Sequence, residues 1–313
     1  MAVFTDSIEY ADRTLDVPAG HWQPIGSDAP AGIQPLLAAM YGGHTVRESK
    51  LQAYPQWNHV LLNESASGSH YDLLTDLSRR EIGLPDRILC LAGSGRRFHG
   101  FKGRAWSAPP GNIYLAAYLA PRTPVRHRGT TFTVLAALSV LDAIDAVPGL
   151  AGAAGIKWVN DILIDGAKVA GVLAYTRGDE SAVSDVVLGI GLNVENSPSV
   201  EPTPFVPHVG SLSEMIPKPQ LCRVPTVLRR LTEAIHSNYQ ELLNGGYLPL
   251  VERYRERSLV IGREVTLCSE RPGSEEEVLA RGRVKGLGDD LELLLEGAER
   301  PFTNGRLILH GNC

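Results

Sequence analysis

The sequence predicts an α+β fold: a mixed, mostly antiparallel sheet flanked by helices, followed by a small all-β unit. Three observations lead there. From Trp57 to about Asn196, short apolar runs bounded by Gly, Pro and Asp alternate with helical patterns. Within that stretch "ILI", "AKVAGVLAY" and "VVLGIGLNV" follow one another across tight turns, and strands joined in that way are antiparallel. After residue 258, "GREVTLCSE", "EVLARGRVKGLGDD" and "LELLLEGAERPFTNGRLILH" read as strand after strand with Gly/Asp turns, a small β-barrel of about fifty residues. The division expected is an N-terminal extension (1–57), a central domain (58–258) and the terminal barrel (259–313).

The first 57 residues are rich in Pro, Gly and acids, with one helix expected over Gly32 to Tyr41. They hold six acidic and three Lys/Arg residues, which argues against a DNA-binding helix-turn-helix and suggests an extension or lid. "HYDLLTDLSRREIG" reads as a helix with apolar Leu73, Leu74 and Leu77, ended by Gly83. The strand "RILCLA", a basic glycine-rich loop and the strand "NIYLAAYLA" come next. "TTFTVLAALSVLDAIDAV" is the most apolar segment, but it contains Asp142 and Asp145 and is too short to span a bilayer, so it reads as a buried helix. Three strands follow in quick succession. "CRVPTVLRRLTEAIHSNYQELLNGG" then reads as a helix with basic residues on its outer face and a Gly pair at its end.

At 313 residues and 43% hydrophobic content, the chain can bury a substantial core in two or three domains. A net charge of -5 and a pI near 6.0 argue against a general nucleic-acid binder. Cys90, Cys222, Cys268 and Cys313 lie far apart with no C-x-x-C, which fits a reducing compartment and suggests no cysteine-based metal site. The N-terminus "MAVFTDSIEYADR" carries acids where a signal peptide carries Lys or Arg. The expectation is a cytoplasmic protein with neither nucleic acid nor membrane as partner.

Two stretches carry chemistry. "AGSGRRFHGFKGRAW" packs four glycines, four Lys/Arg residues and a histidine between two strand-like runs, a composition that attracts an anion and lets the backbone approach it. It lacks the G-K-[ST] of a P-loop, and its G-x-G does not open a helix as a dinucleotide fingerprint does. A solvated basic turn is the plainer reading. In "GIKWVNDILIDGAKVAGVLAY", Asp165-Gly166 is a two-residue hairpin signal. The register it implies pairs Ile164 with Ala167, Leu163 with Lys168 and Asp161 with Ala170. Asp161, Leu163, Lys168 and Ala170 then share one face, with Asp161 and Lys168 about 7–8 Å apart. At that separation they do not bond directly but can bracket a phosphate and its metal ion. In "VVLGIGLNV", Leu188, Ile190, Leu192 and Val194 point to the core, whereas Gly189, Gly191 and Asn193 point the other way. A Gly, Gly, Asn face leaves a cavity beside a hydrogen-bonding amide, although a bulge or close helix packing also explains two glycines.

"KWVND", "GAKVAGVL" and "GIGLNV", in that order and spacing, resemble the motifs of the biotin protein ligases, and "VGSLSEM" and the terminal "TNGRLIL" extend the resemblance from about Trp57 to the C-terminus. It implies the biotin/lipoate ligase catalytic fold with an SH3-like C-terminal barrel. It also implies activation of biotin by ATP to biotinyl-AMP, then transfer to a lysine of a biotin carboxyl carrier domain. Aligned without gaps, "FHGFKGRAW" stands on the family's arginine-rich loop: Gly100, Gly103, Arg104 and Trp106 are kept, and His99, Phe101 and Lys102 stand where the family has arginines. A gapped alternative sets Gly93, Gly95 and Arg96 there instead. The loop is expected to close over the adenylate, with Phe101 unable to donate to its phosphate. Ser67, Gly68 and Ser69 are the expected counterparts of the segment that reads the ureido ring, and Gly95 falls where the family has a glutamine. The remaining assignments implied are Lys168, Arg104 and Lys102 as the catalytic cations and Mg²⁺ near Asp161. Trp106 would pack on the ligand and Asn193 would meet adenine, with Asn160, Gly171, Gly189 and Gly191 as the other binding positions. A homodimer stays open. The alternatives are a lipoate or other carboxylic-acid ligase of the same fold, whose R-x-S-G-G-G loop "SGRRFHG" does not reproduce, and a non-catalytic biotin- or nucleotide-binding regulatory homologue.

Overall fold

The computed structural model describes residues 1–17, 21–26, 30–52, 54–179, 181–269 and 277–310; Cys313 lies outside them. In chain order the elements are β1 (Ala2–Thr5), α1 (Ile8–Leu15), β2 (Gln23–Pro24), α2 (Gln34–Tyr41), β3 (Arg47–Lys50), β4 (His59–Ala66), α3 (His70–Arg79), β5 (Ile88–Gly95) and β6 (Ile113–Leu119). They continue with α4 (Thr131–Asp145), β7 (Ala154–Lys157), β8 (Asp161–Ile164), β9 (Ala167–Gly178), β10 (Val183–Leu192), α5 (Val224–Leu243) and α6 (Tyr247–Glu256). The last four are β11 (Glu264–Cys268), β12 (Val278–Leu287), β13 (Leu293–Leu295) and β14 (Arg306–Leu309).

The first ten strands form one sheet in the order β2-β3-β1-β4-β5-β6-β10-β9-β8-β7. β4 pairs in parallel with both β1 and β5, and the other pairs are antiparallel, so the sheet is mixed as expected. Its central strand β6 is buried along its whole length, and its side chains alternate between two apolar clusters. Leu115, Ala117 and Leu119 face α4, whereas Ala116 and Tyr118 face α2 and α3. Because α5 and α6 cover the side of α4 turned away from the sheet, almost all of α4 is buried, which is why its sequence is apolar all round. Its two aspartates fasten α6 and the residue after it: Asp142 lies 2.8 Å from Arg253 and Asp145 lies 2.6 Å from Arg257.

The N-terminal segment, expected as an extension, is built into the sheet. β1 lies between β3 and β4, and the buried Tyr41 hydroxyl donates to the carbonyls of Phe4 and Leu62, both at 3.0 Å. Short polar strands such as "RESK" carry little apolar periodicity, so sequence pattern alone does not reveal them. α3 ends at Arg79, before Gly83, because Glu81 takes the left-handed conformation (φ 56°) that closes the helix. The C-terminal strands form a four-stranded antiparallel sheet in the order β13-β12-β11-β14. It is joined to the large sheet by Trp158, whose Nε1 donates to the Leu291 carbonyl at 2.7 Å.

Candidate active site

On the α3 face of the large sheet lies a cavity of about 700 Å³. Its floor is β6, β10 and β9, one wall is Ser69 to Tyr71 of the α3 N-terminus, and its cover is the loop from Phe98 to Ser107. Pro198 to Val209 and, from the C-terminal sheet, Thr303 to Leu307 complete the rim.

The cover is a compact folded loop. Trp106 N–H donates to the Phe98 carbonyl at 2.9 Å and Gly100 N–H to the Arg104 carbonyl at 2.7 Å. Lys102 (φ 58°) and Gly103 (φ 74°) turn the chain between them. The loop is tied to α3 by His99, whose Nε2 lies 2.7 Å from Asp72 and whose Nδ1 lies 3.0 Å from the Gly100 carbonyl. The bond to that carbonyl, with Asp72 alongside, raises the His99 pKa above the ordinary histidine value. Phe101 has the Lys102 ammonium 5.5 Å and the Arg104 guanidinium 5.9 Å from its ring centre, so it gathers the two cations at the cavity mouth. Arg96 lies outside the lining, and Arg97 turns away to donate to the Ser67 carbonyl at 3.0 Å. The segment facing the cavity is therefore Phe98 to Trp106 rather than "GSGRR".

The β8–β9 hairpin departs from the expected register. Ile164 pairs with Ala167 and Leu163 with Lys168, but a bulge then sets Asp161 opposite Gly171 and Ile162 opposite Ala170. Val169 and Ala170 are consecutive buried residues. Ala170 therefore belongs to the core, and Asp161, Lys168 and Gly171 line the cavity. The bulge also brings Lys168 Nζ to 2.6 Å from Asp161 Oδ1, a direct ion pair where a gap of several ångströms was expected. Both side chains are mostly buried, and the ammonium lies 5.3 Å from the Trp106 ring centre.

Gly189 and Gly191 do face the cavity side, but the room they leave is taken by this chain's own rings. A Cβ on Gly189 would come within 2.8 Å of Tyr71, and one on Gly191 within 2.6 Å of Trp106. Gly171 is similarly close to Trp106, at 3.1 Å. The glycines let two aromatic rings lie against the sheet, and the cavity lies over those rings. Asn193 is buried: its Nδ2 donates to the Gly210 carbonyl at 2.9 Å, and its Oδ1 has no partner. The carbonyl oxygen is therefore the polar atom of Asn193 without any partner. Asn160 lines the cavity, but its Nδ2 is committed to the Val172 carbonyl at 2.8 Å.

Ser69 thus joins Lys168, Asp161, Asn193, Gly171, Gly189, Gly191, Trp106 and the loop in one place, whereas Gly103 lies outside the lining. Ser67 and Gly68 line a smaller adjoining cavity. Sequence reasoning missed several lining residues. Lys157, the first residue of "KWVND", is buried and donates to the Phe205 carbonyl. Arg306, inside "TNGRLIL", stacks 3.5 Å from the Phe205 ring centre. The motifs held the signal for both. Tyr71, Phe98 and His70 carried none beyond their nearness to the motif segments.

The match to a family model for the biotin/lipoate A/B protein ligase family covers residues 86–193. The biotin--[acetyl-CoA-carboxylase] ligase of Paracoccus denitrificans is 30% identical over 211 residues, 66% of this chain and 80% of that protein. The bifunctional ligase/repressor BirA of Bacillus subtilis (strain 168) is 25% identical over 268 residues, 84% of this chain and 73% of that protein. Among solved structures, the biotin protein ligase from Aquifex aeolicus in complex with biotin and ATP has a TM-score of 0.62 at 20% identity, covering 81% of this chain and 99% of that one. By sequence relationship and by fold, the chain belongs to the biotin protein ligase family.

Proposed function

We propose that this protein is a biotin–protein ligase. It activates the biotin carboxylate with ATP to biotinyl-AMP and passes the acyl group to a lysine of a biotin carboxyl carrier domain of a carboxylase. The observation that carries this reading is Lys168, a mostly buried ammonium held by Asp161 beside Trp106 on the floor of a loop-covered cavity.

In the first step a carboxylate oxygen attacks the α-phosphorus and the bond to the bridging oxygen breaks, releasing pyrophosphate. Two anions must meet, so the site has to supply positive charge where negative charge builds up. Lys168 does so from the floor, and Lys102 and Arg104 do so from the rim. Among the described residues no three His, Cys, Asp or Glu side chains gather to cage a metal. Asp161 offers a single carboxylate, with Oδ1 already on Lys168, a donor set that suits Mg²⁺ arriving on ATP phosphates. When bound, such an ion would neutralise phosphate charge. In the second step the acceptor amine attacks the acyl carbon and AMP leaves. The loop tied down by His99 shields the acyl-adenylate from water until the acceptor arrives. The unpartnered Asn193 Oδ1 would accept from an adenine amino group.

The first 57 residues supply the sheet strands β1, β2 and β3; that the ligase acts without a nucleic-acid partner is part of the proposal. A cytoplasmic location is part of the same proposal. The test is incubation of the protein with ATP, biotin and an apo carrier domain. ATP-dependent biotinylation of one carrier lysine, read as a mass increase, is expected. An unmodified carrier would refute the ligase reading.

A further inference from the structure

Six lysines, Lys50, Lys102, Lys157, Lys168, Lys218 and Lys285, stand against 24 arginines in this chain. Three of the six line the cavity, whereas Lys50, Lys218 and Lys285 are exposed elsewhere on the surface. Beside an activated acyl group the two cations differ in kind. A guanidinium stays protonated and only holds anions, but a lysine that gives up its proton is a nucleophile.

The three cavity lysines are placed differently. Lys157 is buried at the end of β7 and donates to the Phe205 carbonyl. Lys168 lies on the floor, mostly buried, in its ion pair with Asp161. Lys102 is exposed and belongs to the cover, at the turn (φ 58°) that reverses the loop between Phe101 and Gly103. Its Nζ lies 5.5 Å from the Phe101 ring centre, and the same ring has the Arg104 guanidinium at 5.9 Å. The second step of the ligase reaction brings an acceptor amine from solvent to the acyl carbon. Because the loop covers the cavity, that amine must pass it, and the amine carried by the loop stands on the acceptor's path. Attachment to the same molecule makes its attack unimolecular, with no encounter to wait for.

We propose that Lys102 is a self-acylation site: while no carrier is docked, its amine takes the acyl group from the adenylate bound in the same molecule. This rests on the ligase reading of the cavity. The Nζ lone pair attacks the acyl carbon, the C–O bond to the phosphate breaks, AMP leaves with that electron pair, and the proton lost by the amine passes to solvent. The amide formed is uncharged, so each event removes one of the two cations gathered on Phe101 and leaves the acyl chain on the cover.

The test is peptide mass mapping of the full-length protein after incubation without carrier, once with biotin and ATP and once with chemically supplied biotinyl-adenylate. One biotinyl group on Lys102 is expected in both, at least about tenfold above the label on Lys50, Lys218 or Lys285. Its rate per molecule should not depend on protein concentration, and added apo carrier should suppress it. Lys102→Arg keeps a cation but not the nucleophile, so with supplied adenylate its total label should fall to that of the surface lysines. Label on Lys102 no greater than on those lysines, or undiminished label on the variant, would overturn the proposal. Carrier biotinylation from ATP with Lys102 unlabelled would sink it too, and leave the ligase reading intact. If supplied adenylate labels Lys102 while biotin and ATP label neither Lys102 nor added carrier, the ligase reading fails and the Lys102 site stands.

Discussion

Lys168 and Asp161 meet because β9 carries one extra residue opposite β8. The turn itself was legible, since Asp165-Gly166 dictates a tight hairpin. The bulge was less so, because its only trace is the adjacent pair Val169 and Ala170, both buried where alternation would expose one. Lys168→Ala should lower the rate of adenylate formation by about 10²–10³. Its stability cost should be about 3–5 kcal/mol, because Asp161 is left mostly buried without its partner; near-normal pyrophosphate release from the folded variant would contradict the assignment. His70 gives a second residue-scale expectation. With a folded pKa of about 4 against an ordinary value of 6.5, the unfolded chain binds the extra proton between those values. His70 therefore costs stability progressively as pH falls from about 6.5 to 4, up to about 3 kcal/mol. Urea denaturation of wild type and His70→Phe should diverge over that window and run parallel above it. Phe101 completes the set. Phe101→Arg replaces an apolar cover by a phosphate donor, so biotinyl-adenylate should leave more slowly; an unchanged off-rate would show that the existing cations already suffice.

At the scale of elements, the two glycines of β10 show how far a pattern can be read. "GIGLNV" correctly separates core-facing from cavity-facing positions, but it cannot say what fills the space above Gly189 and Gly191. That depends on Tyr71 from α3 and Trp106 from the loop, which arrive from distant parts of the chain. Gly191→Ala would drive a methyl to 2.6 Å from Trp106 and lift the ring. Ligand affinity should drop at least about tenfold while the sheet persists, since the clash is with a side chain and not with the ladder. The loop's composition predicted an anion site, whereas its anchor on α3 through His99 and Asp72 was invisible in the sequence. Because the His99 pKa is raised, that ion pair is fully present below the ordinary histidine pKa and is lost as pH rises through the elevated value. Asp72→Asn should lower the His99 pKa in a proton NMR titration and speed release of the adenylate. An unmoved titration midpoint would remove Asp72 from the latch.

For the whole molecule, the central sheet, the buried helix α4 and the β-rich C-terminus could be read from periodicity and turn chemistry. The role of residues 1–57 could not, because β1, β2 and β3 are short and owe their place to β4 rather than to their own pattern. Deleting residues 1–52 should therefore lower the melting temperature by at least about 10 °C or abolish soluble protein, not leave an intact ligase core. The C-terminal sheet is likewise part of the site, since Thr303 to Leu307 line the cavity and Trp158 is bonded to the Leu291 carbonyl. The central claim is that this assembly makes an acyl-adenylate, and it is tested most directly by pyrophosphate exchange. With labelled pyrophosphate, unlabelled ATP and biotin, the protein should incorporate label into ATP, and omission of biotin or replacement of Lys168 by Ala should stop it. Binding of both biotin and ATP with no exchange would contradict the claim and mark the cavity as a binding site without chemistry.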